Sequence, residues 1–308
     1  MFTSADTGQP PGACIHSHVP TVAYDAAMNT PARTNPANLP VTSGPVPTCL
    51  PGRQGGIISL TIPESEGLAE SFDIYRVAPA PGQPIKGAVI VIHEIWGLVD
   101  QICGVADRLA AQGYVVYAPD ILSHGGISPE VGAELARLRE SADPQEQYRL
   151  QTSMREALTV ARQPEYGTWA VAALRAVVDA LEAEPGVSGR IGATGFCFGG
   201  TYTLALAAAD PRLRAAAPFY GSAPAPELFS HIGCPVLAFY GGQDERLMTA
   251  LPDVVTAMAG AGVDFTPVVY DDAGHAFFNE ANSQAYQAQA AHDSWDKLLA
   301  FFASNLAG

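Results

Sequence analysis

Positive charge is scarce in this 308-residue chain: 16 Lys and Arg stand against 31 Asp and Glu, a formal net charge of -15. Such a surface repels phosphate backbones and anionic lipid, which argues against nucleic-acid and membrane partners, and otherwise the acidity reads as simple solubility. Cysteine is sparse as well. The five (Cys14, Cys49, Cys103, Cys197 and Cys234) are scattered, form no CxxC pair, and suggest neither a zinc ribbon nor a dense disulfide framework. "CIHSH" offers Cys14, His16 and His18, but a closed metal site generally takes four ligands, so no metal is expected there. No apolar run approaches the roughly 18 residues that a membrane-spanning helix needs. The first twenty residues have neither a basic start nor an apolar middle, so a cytoplasmic protein is the expectation, with a processed or mis-started export sequence the alternative. A monomer or small homo-oligomer is expected.

What the chain does have is apolar residues, 48% of the total, enough for a large core. Residues 1–54 are rich in Pro, Gly, Thr, Asn and Ala without sustained periodicity, and read as an extended arm. Residues 55–308 read as one domain. "GIISLTIP" and "ESFDIYRVAP" have the character of an edge hairpin. Beyond them "GAVIVIH", "YVVYAPD", "RIGATG", "AAAPFYG", "PVLAFYG" and "FTPVVYD" alternate with helical patterns. Near-continuous apolar strands followed by amphipathic helices predict a mostly parallel sheet covered on both faces, an α/β/α sandwich in three layers. In such sheets the chemistry collects outside the carboxyl ends of the strands.

Cys197 passes that filter. In "TGFCFGG" it lies at a strand-to-helix corner with Gly195 and Gly199 two residues to either side. This is the G-x-S-x-G pattern of a strained nucleophile elbow with cysteine in the serine position. A helix N-terminus favours the thiolate. A buried cysteine, followed by glycines that merely permit tight packing, is the competing account. "FYGGQDERL" then puts Asp244 past one strand end, and "VVYDDAGHAFF" puts His275 past the next. Nucleophile, acid and histidine therefore occur in the chain order of the α/β-hydrolase triad. Glu245, Asp271 and Asp272 are rivals for the acid. Asp244 is preferred because "GGQD" follows its strand directly, although an ordinary helix cap would also place an aspartate there. In "VIVIHEIWG", Glu94 ends a central strand in apolar surroundings, where a carboxylate needs a partner, and could exchange a proton with Cys197. The N–H groups of Ile95 and Phe198 are expected to form an oxyanion hole.

Together "VIHEIWGL", "YAPD", "GFCFGG", "YGGQD" and "AGHAF" resemble the dienelactone hydrolase family of α/β-hydrolases, over roughly residues 57–305. The resemblance implies a Cys197–His275–Asp244 triad assisted by Glu94, hydrolysis of enol-lactones, and no metal or organic cofactor. The chain departs from the family at two positions. Where family members carry arginines that clamp a substrate carboxylate, it has His124 and Asn279, a change that is not conservative. With Trp96 and Phe277 these two make up the expected substrate-binding set. The expected function is a cysteine-dependent hydrolase of ester or lactone bonds acting through a thioester acyl-enzyme. A broad carboxylesterase or thioesterase, a non-catalytic ligand-binding homologue and a redox protein are the rivals.

Overall fold

The computed structural model describes residues 52–62, 70–161 and 163–307. Most of the expected arm, with Cys14, His16 and His18, lies outside them. Eight strands form one sheet: β1 (Gly56–Thr61), β2 (Ser71–Val77), β3 (Gly87–Ile92), β4 (Tyr114–Pro119), β5 (Ile191–Phe196), β6 (Leu213–Phe219), β7 (Val236–Gly241) and β8 (Phe265–Tyr270), in the order β1-β2-β4-β3-β5-β6-β7-β8. β1 pairs antiparallel with β2, and β2 antiparallel with β4; the other pairings are parallel. β3, β4 and β5 are buried at every residue, which is why they read as unbroken apolar runs. β1 and β8 close the two edges and are much more exposed.

Alternate residues of β3 serve two cores. Ala88, Ile90 and Ile92 face helices α4 (Pro164–Glu182) and α5 (Phe198–Ala209), against Leu174, Val177 and Leu204. Val89 and Val91 face α1 (Asp100–Ala111) and α7 (Ala288–Asn305), against Ile102, Leu109, Leu298 and Phe302. α6 (Glu245–Gly260) lies between β7 and β8 in sequence. Parallel strands with helices on both faces are the expected three-layer arrangement.

Two further helices were not legible in the sequence: α2 (Pro129–Arg139) and α3 (Pro144–Ala161). Both have polar stretches, and they pack mainly on each other, so neither carries the broad apolar stripe of a core helix. α2 starts on ordinary signals, with Pro129 in its first turn and the Ser128 side chain accepting from the Val131 N–H at 3.4 Å. Cys103, buried on α1, is disulfide-bonded, whereas Cys197 and Cys234 are free thiols. Among the described residues no helix is long and apolar enough to cross a membrane.

Candidate active site

The turn from β5 into α5 forces Cys197 to φ 53°, ψ -110°, a region that residues with a side chain seldom occupy. The chain folds so tightly here that a methyl group on Gly195 would lie 2.3 Å from the Gly199 carbonyl oxygen. One on Gly199 would lie 2.1 Å from the Ile92 carbonyl oxygen. The two glycines let the corner close, and the corner presents Cys197 as the half-buried cap of α5.

His275 follows β8, and Asp244 follows β7 as the cap of α6. The His275 Nδ1–H donates to Asp244 Oδ2 at 2.5 Å, while Asp244 Oδ1 accepts from the Leu247 N–H at 3.3 Å. Asp244 therefore caps α6 and holds His275 at once, with a different oxygen for each. Burial works against the charge on Asp244, yet the His275 hydrogen bond holds its carboxyl below the ordinary range. Burial likewise disfavours imidazolium, but hydrogen bonds with Asp244 and Cys197 outweigh it, and His275 is pushed up to about 10.

Glu94 sits past the end of β3, almost wholly buried. The Tyr220 hydroxyl donates to its Oε1 at 3.1 Å, and the Asn279 amide donates to its Oε2. Burial pushes the Glu94 carboxyl up, and these neutral donors only partly oppose it. A cavity of about 170 Å³ is lined by Glu94, Ile95, Trp96, Cys197, His275, Ala276 and Asn282. That volume suits a small acyl group. The backbone N–H of Phe198 belongs to the first turn of α5, where amides have no partner within the helix.

The sequence matches the model of the dienelactone hydrolase family over residues 73–306. The chain belongs to this family. It is therefore a hydrolase acting on ester or lactone bonds. Among its relatives, the "Putative carboxymethylenebutenolidase" of Saccharolobus solfataricus is 33% identical over 236 residues, covering 70% of this chain and 88% of that one. A protein of the same name from Salmonella typhimurium is 28% identical over 281 residues, 88% of this chain and 96% of the other. A crystal structure described as a "Putative Dienelactone Hydrolase" from Klebsiella pneumoniae superposes with a TM-score of 0.61 at 27% identity, covering 80% of this chain and 99% of that one.

Within this dienelactone hydrolase family framework, the residues expected to bind substrate separate. Trp96 and Ile95 line the cavity. Asn279 is buried and spends its amide on Glu94, so it acts on the carboxylate of the protein. Phe277 is fully buried and packs against Phe219, Tyr220 and Tyr270, making it a core residue. His124 is not brought to the cavity: it stacks on Trp169 at 3.9 Å and its Nδ1 lies 3.1 Å from Glu70. The short helical turn after β4 aims it at α4. The assignment of His124 and Phe277 to substrate binding is corrected accordingly.

Sequence reasoning missed Tyr220 and Arg139. Tyr220 follows β6 at the carboxyl end of the sheet, so the strand-end rule already contained the signal. Arg139 ends α2, and its guanidinium lies 4.9 Å from the Trp96 ring and donates to the Ala281 carbonyl. It went unnoticed because α2 itself did.

Proposed function

We propose that Cys197 is the nucleophile of a small-substrate ester or lactone hydrolase, with His275 as acid–base and Asp244 as its orienting carboxylate. The observation that carries this reading is the strained backbone at Cys197, which points a free thiol into a cavity shared with a histidine hydrogen-bonded to a half-buried aspartate. His275 takes the Cys197 thiol proton as the sulfur attacks the carbonyl carbon, and the carbonyl π electrons move to oxygen, facing the Ile95 and Phe198 N–H groups. As the tetrahedral intermediate collapses, the carbon–oxygen bond to the leaving group breaks and His275 gives that oxygen its proton. The product is a thioester on Cys197. His275, now neutral, takes a proton from water as the water attacks the thioester, and the acid leaves with regeneration of Cys197.

Glu94, buried and with a raised pKa, is positioned to exchange a proton with the cysteine side of the cavity when a substrate displaces its present donors. The substrate reading is a short neutral ester or lactone. No arginine clamp stands at positions 124 and 279, the cavity is small, and its open wall is Ile95 and Trp96. A broad carboxylesterase or thioesterase uses the same machinery and differs only in the leaving group. The catalytic unit is read as the domain beginning near residue 55.

Replacing the nucleophile tests the proposal. Cys197→Ala should lower kcat for p-nitrophenyl acetate by on the order of 10³-fold or more while leaving the far-ultraviolet spectrum and the melting temperature in place. Retention of most of the rate would overturn covalent catalysis here.

A further inference from the structure

His93 is a fully buried histidine beside the site that the mechanism above leaves without a task. Its two ring nitrogens reach different strands' ends. Nε2 lies 3.1 Å from the backbone N of Ile121, just past β4. Nδ1 lies 2.8 Å from the carbonyl oxygen of Glu94, just past β3. The backbone N–H of Ile121 can only donate, so Nε2 carries no proton. The Glu94 carbonyl can only accept, so Nδ1 carries one. The two contacts demand the same neutral tautomer, and each confirms the other. Burial lowers the pKa of the ring and keeps it neutral.

The carbonyl that His93 holds belongs to the Glu94–Ile95 peptide unit. In a trans peptide the C=O and N–H point in opposite directions, and the described residues contain no cis bond. Fixing the Glu94 carbonyl therefore fixes the Ile95 N–H. The Gly97 N–H supports the same carbonyl at 3.1 Å, so two donors pin the plane. The Ile95 N–H has no acceptor among the described residues, and Ile95 lines the cavity with Cys197. His93 also stacks parallel to Phe198, at 6.0 Å between ring centres, and the Phe198 N–H is the second oxyanion donor of the function proposed above.

We propose that His93 is a positioning residue for the oxyanion hole, its Nδ1–H anchoring the Glu94 carbonyl so that the Ile95 N–H faces the reacting carbonyl oxygen. The proposal rests on the reading of Cys197 as nucleophile. Without the anchor the peptide can rotate and swing its carbonyl toward the cavity, where it would repel the oxyanion. A correctly oriented donor is worth about 10²–10³-fold in kcat. Loss of orientation alone should cost a part of that, about 10–100-fold.

The test compares His93→Asn, whose amide nitrogen can take the place of Nδ1, with His93→Gln, whose amide reaches the Nε2 position, and with His93→Leu. Two rates are measured on each: kcat for p-nitrophenyl acetate, which develops an oxyanion, and alkylation of Cys197 by iodoacetamide, which does not. Asn should keep kcat within about threefold, whereas Gln and Leu should lose about 10–100-fold with KM nearly unchanged. Alkylation should stay within about twofold of wild type in all three. Equal kcat in Asn and Gln, or alkylation falling in step with kcat, would overturn the proposal. If Leu does not fold, the Asn–Gln comparison still decides it. Failure of iodoacetamide to inactivate the wild-type enzyme would instead count against the Cys197 reading itself.

Discussion

Asp244→Asn separates the triad acid from the helix cap, because Asp244 uses one oxygen for each task. Asparagine offers one oxygen and one NH₂ in the same space. If its oxygen stays on the Leu247 N–H, its NH₂ faces His275 Nδ1 and forces the imidazole into the tautomer protonated on Nε2. The nitrogen beside Cys197 then has no lone pair for the proton it must take. If the amide flips instead, His275 keeps its acceptor but loses the negative charge that stabilises imidazolium, and the Leu247 N–H faces a donor. The first arrangement predicts a fall in kcat of about 10⁴-fold, the size expected for a wrong-tautomer histidine. The second predicts a smaller fall together with loss of a cap worth about 1 kcal/mol. Kcat from p-nitrophenyl acetate turnover, and unfolding midpoints in urea, distinguish them. Asp271→Asn is the control and should change kcat by less than about twofold, since Asp271 is exposed. A residual rate above one tenth of wild type in Asp244→Asn, or equal losses in both variants, would refute the assignment.

Gly199→Ala places a methyl group 2.1 Å from the Ile92 carbonyl and should destabilise the fold by about 3 kcal/mol or more in urea unfolding; a loss below about 1 kcal/mol would mean that the elbow is looser than described. His275 is raised from 6.5 to about 10, so its contribution to stability is full below about pH 6.5 and is lost as pH rises through about 10; imidazole NMR should place its titration near that upper value, and a midpoint near 6.5 would contradict the His275–Asp244–Cys197 coupling. Neutral short esters should show a higher kcat/KM than a dienelactone carboxylate, and His124→Ala should leave that ratio unchanged between pH 6 and 7.5, because His124 packs on Trp169; a strong preference for the anionic lactone would point to Arg139 beside Trp96 as its partner.

The elements that were legible in the sequence are those whose own residues answer to the core. β3, β4 and β5 are buried on both faces, so their apolar runs had no other explanation. Cys197, Asp244 and His275 were legible because strand ends and glycine spacing mark them locally. α2 and α3 were not, because helices that pack chiefly on one another need no wide apolar stripe. Asn279 and Phe277 show a different limit. Both follow His275 closely, but where a side chain points after a strand end depends on the turn, and here Ala276 at φ 63° turns the chain so that Asn279 reaches Glu94. His124 was misplaced for the same reason: alignment with a family position locates a backbone segment, whereas the stack on Trp169 fixes the ring.

The most direct test of the account is to trap the acyl-enzyme. Enzyme mixed with excess p-nitrophenyl acetate and quenched in acid within milliseconds should gain the mass of one acetyl group, confined to the peptide containing Cys197 and removed by hydroxylamine at neutral pH. The adduct should be absent in Cys197→Ala. An acetyl group on any other residue, or full turnover without a label on Cys197, would contradict a thioester mechanism.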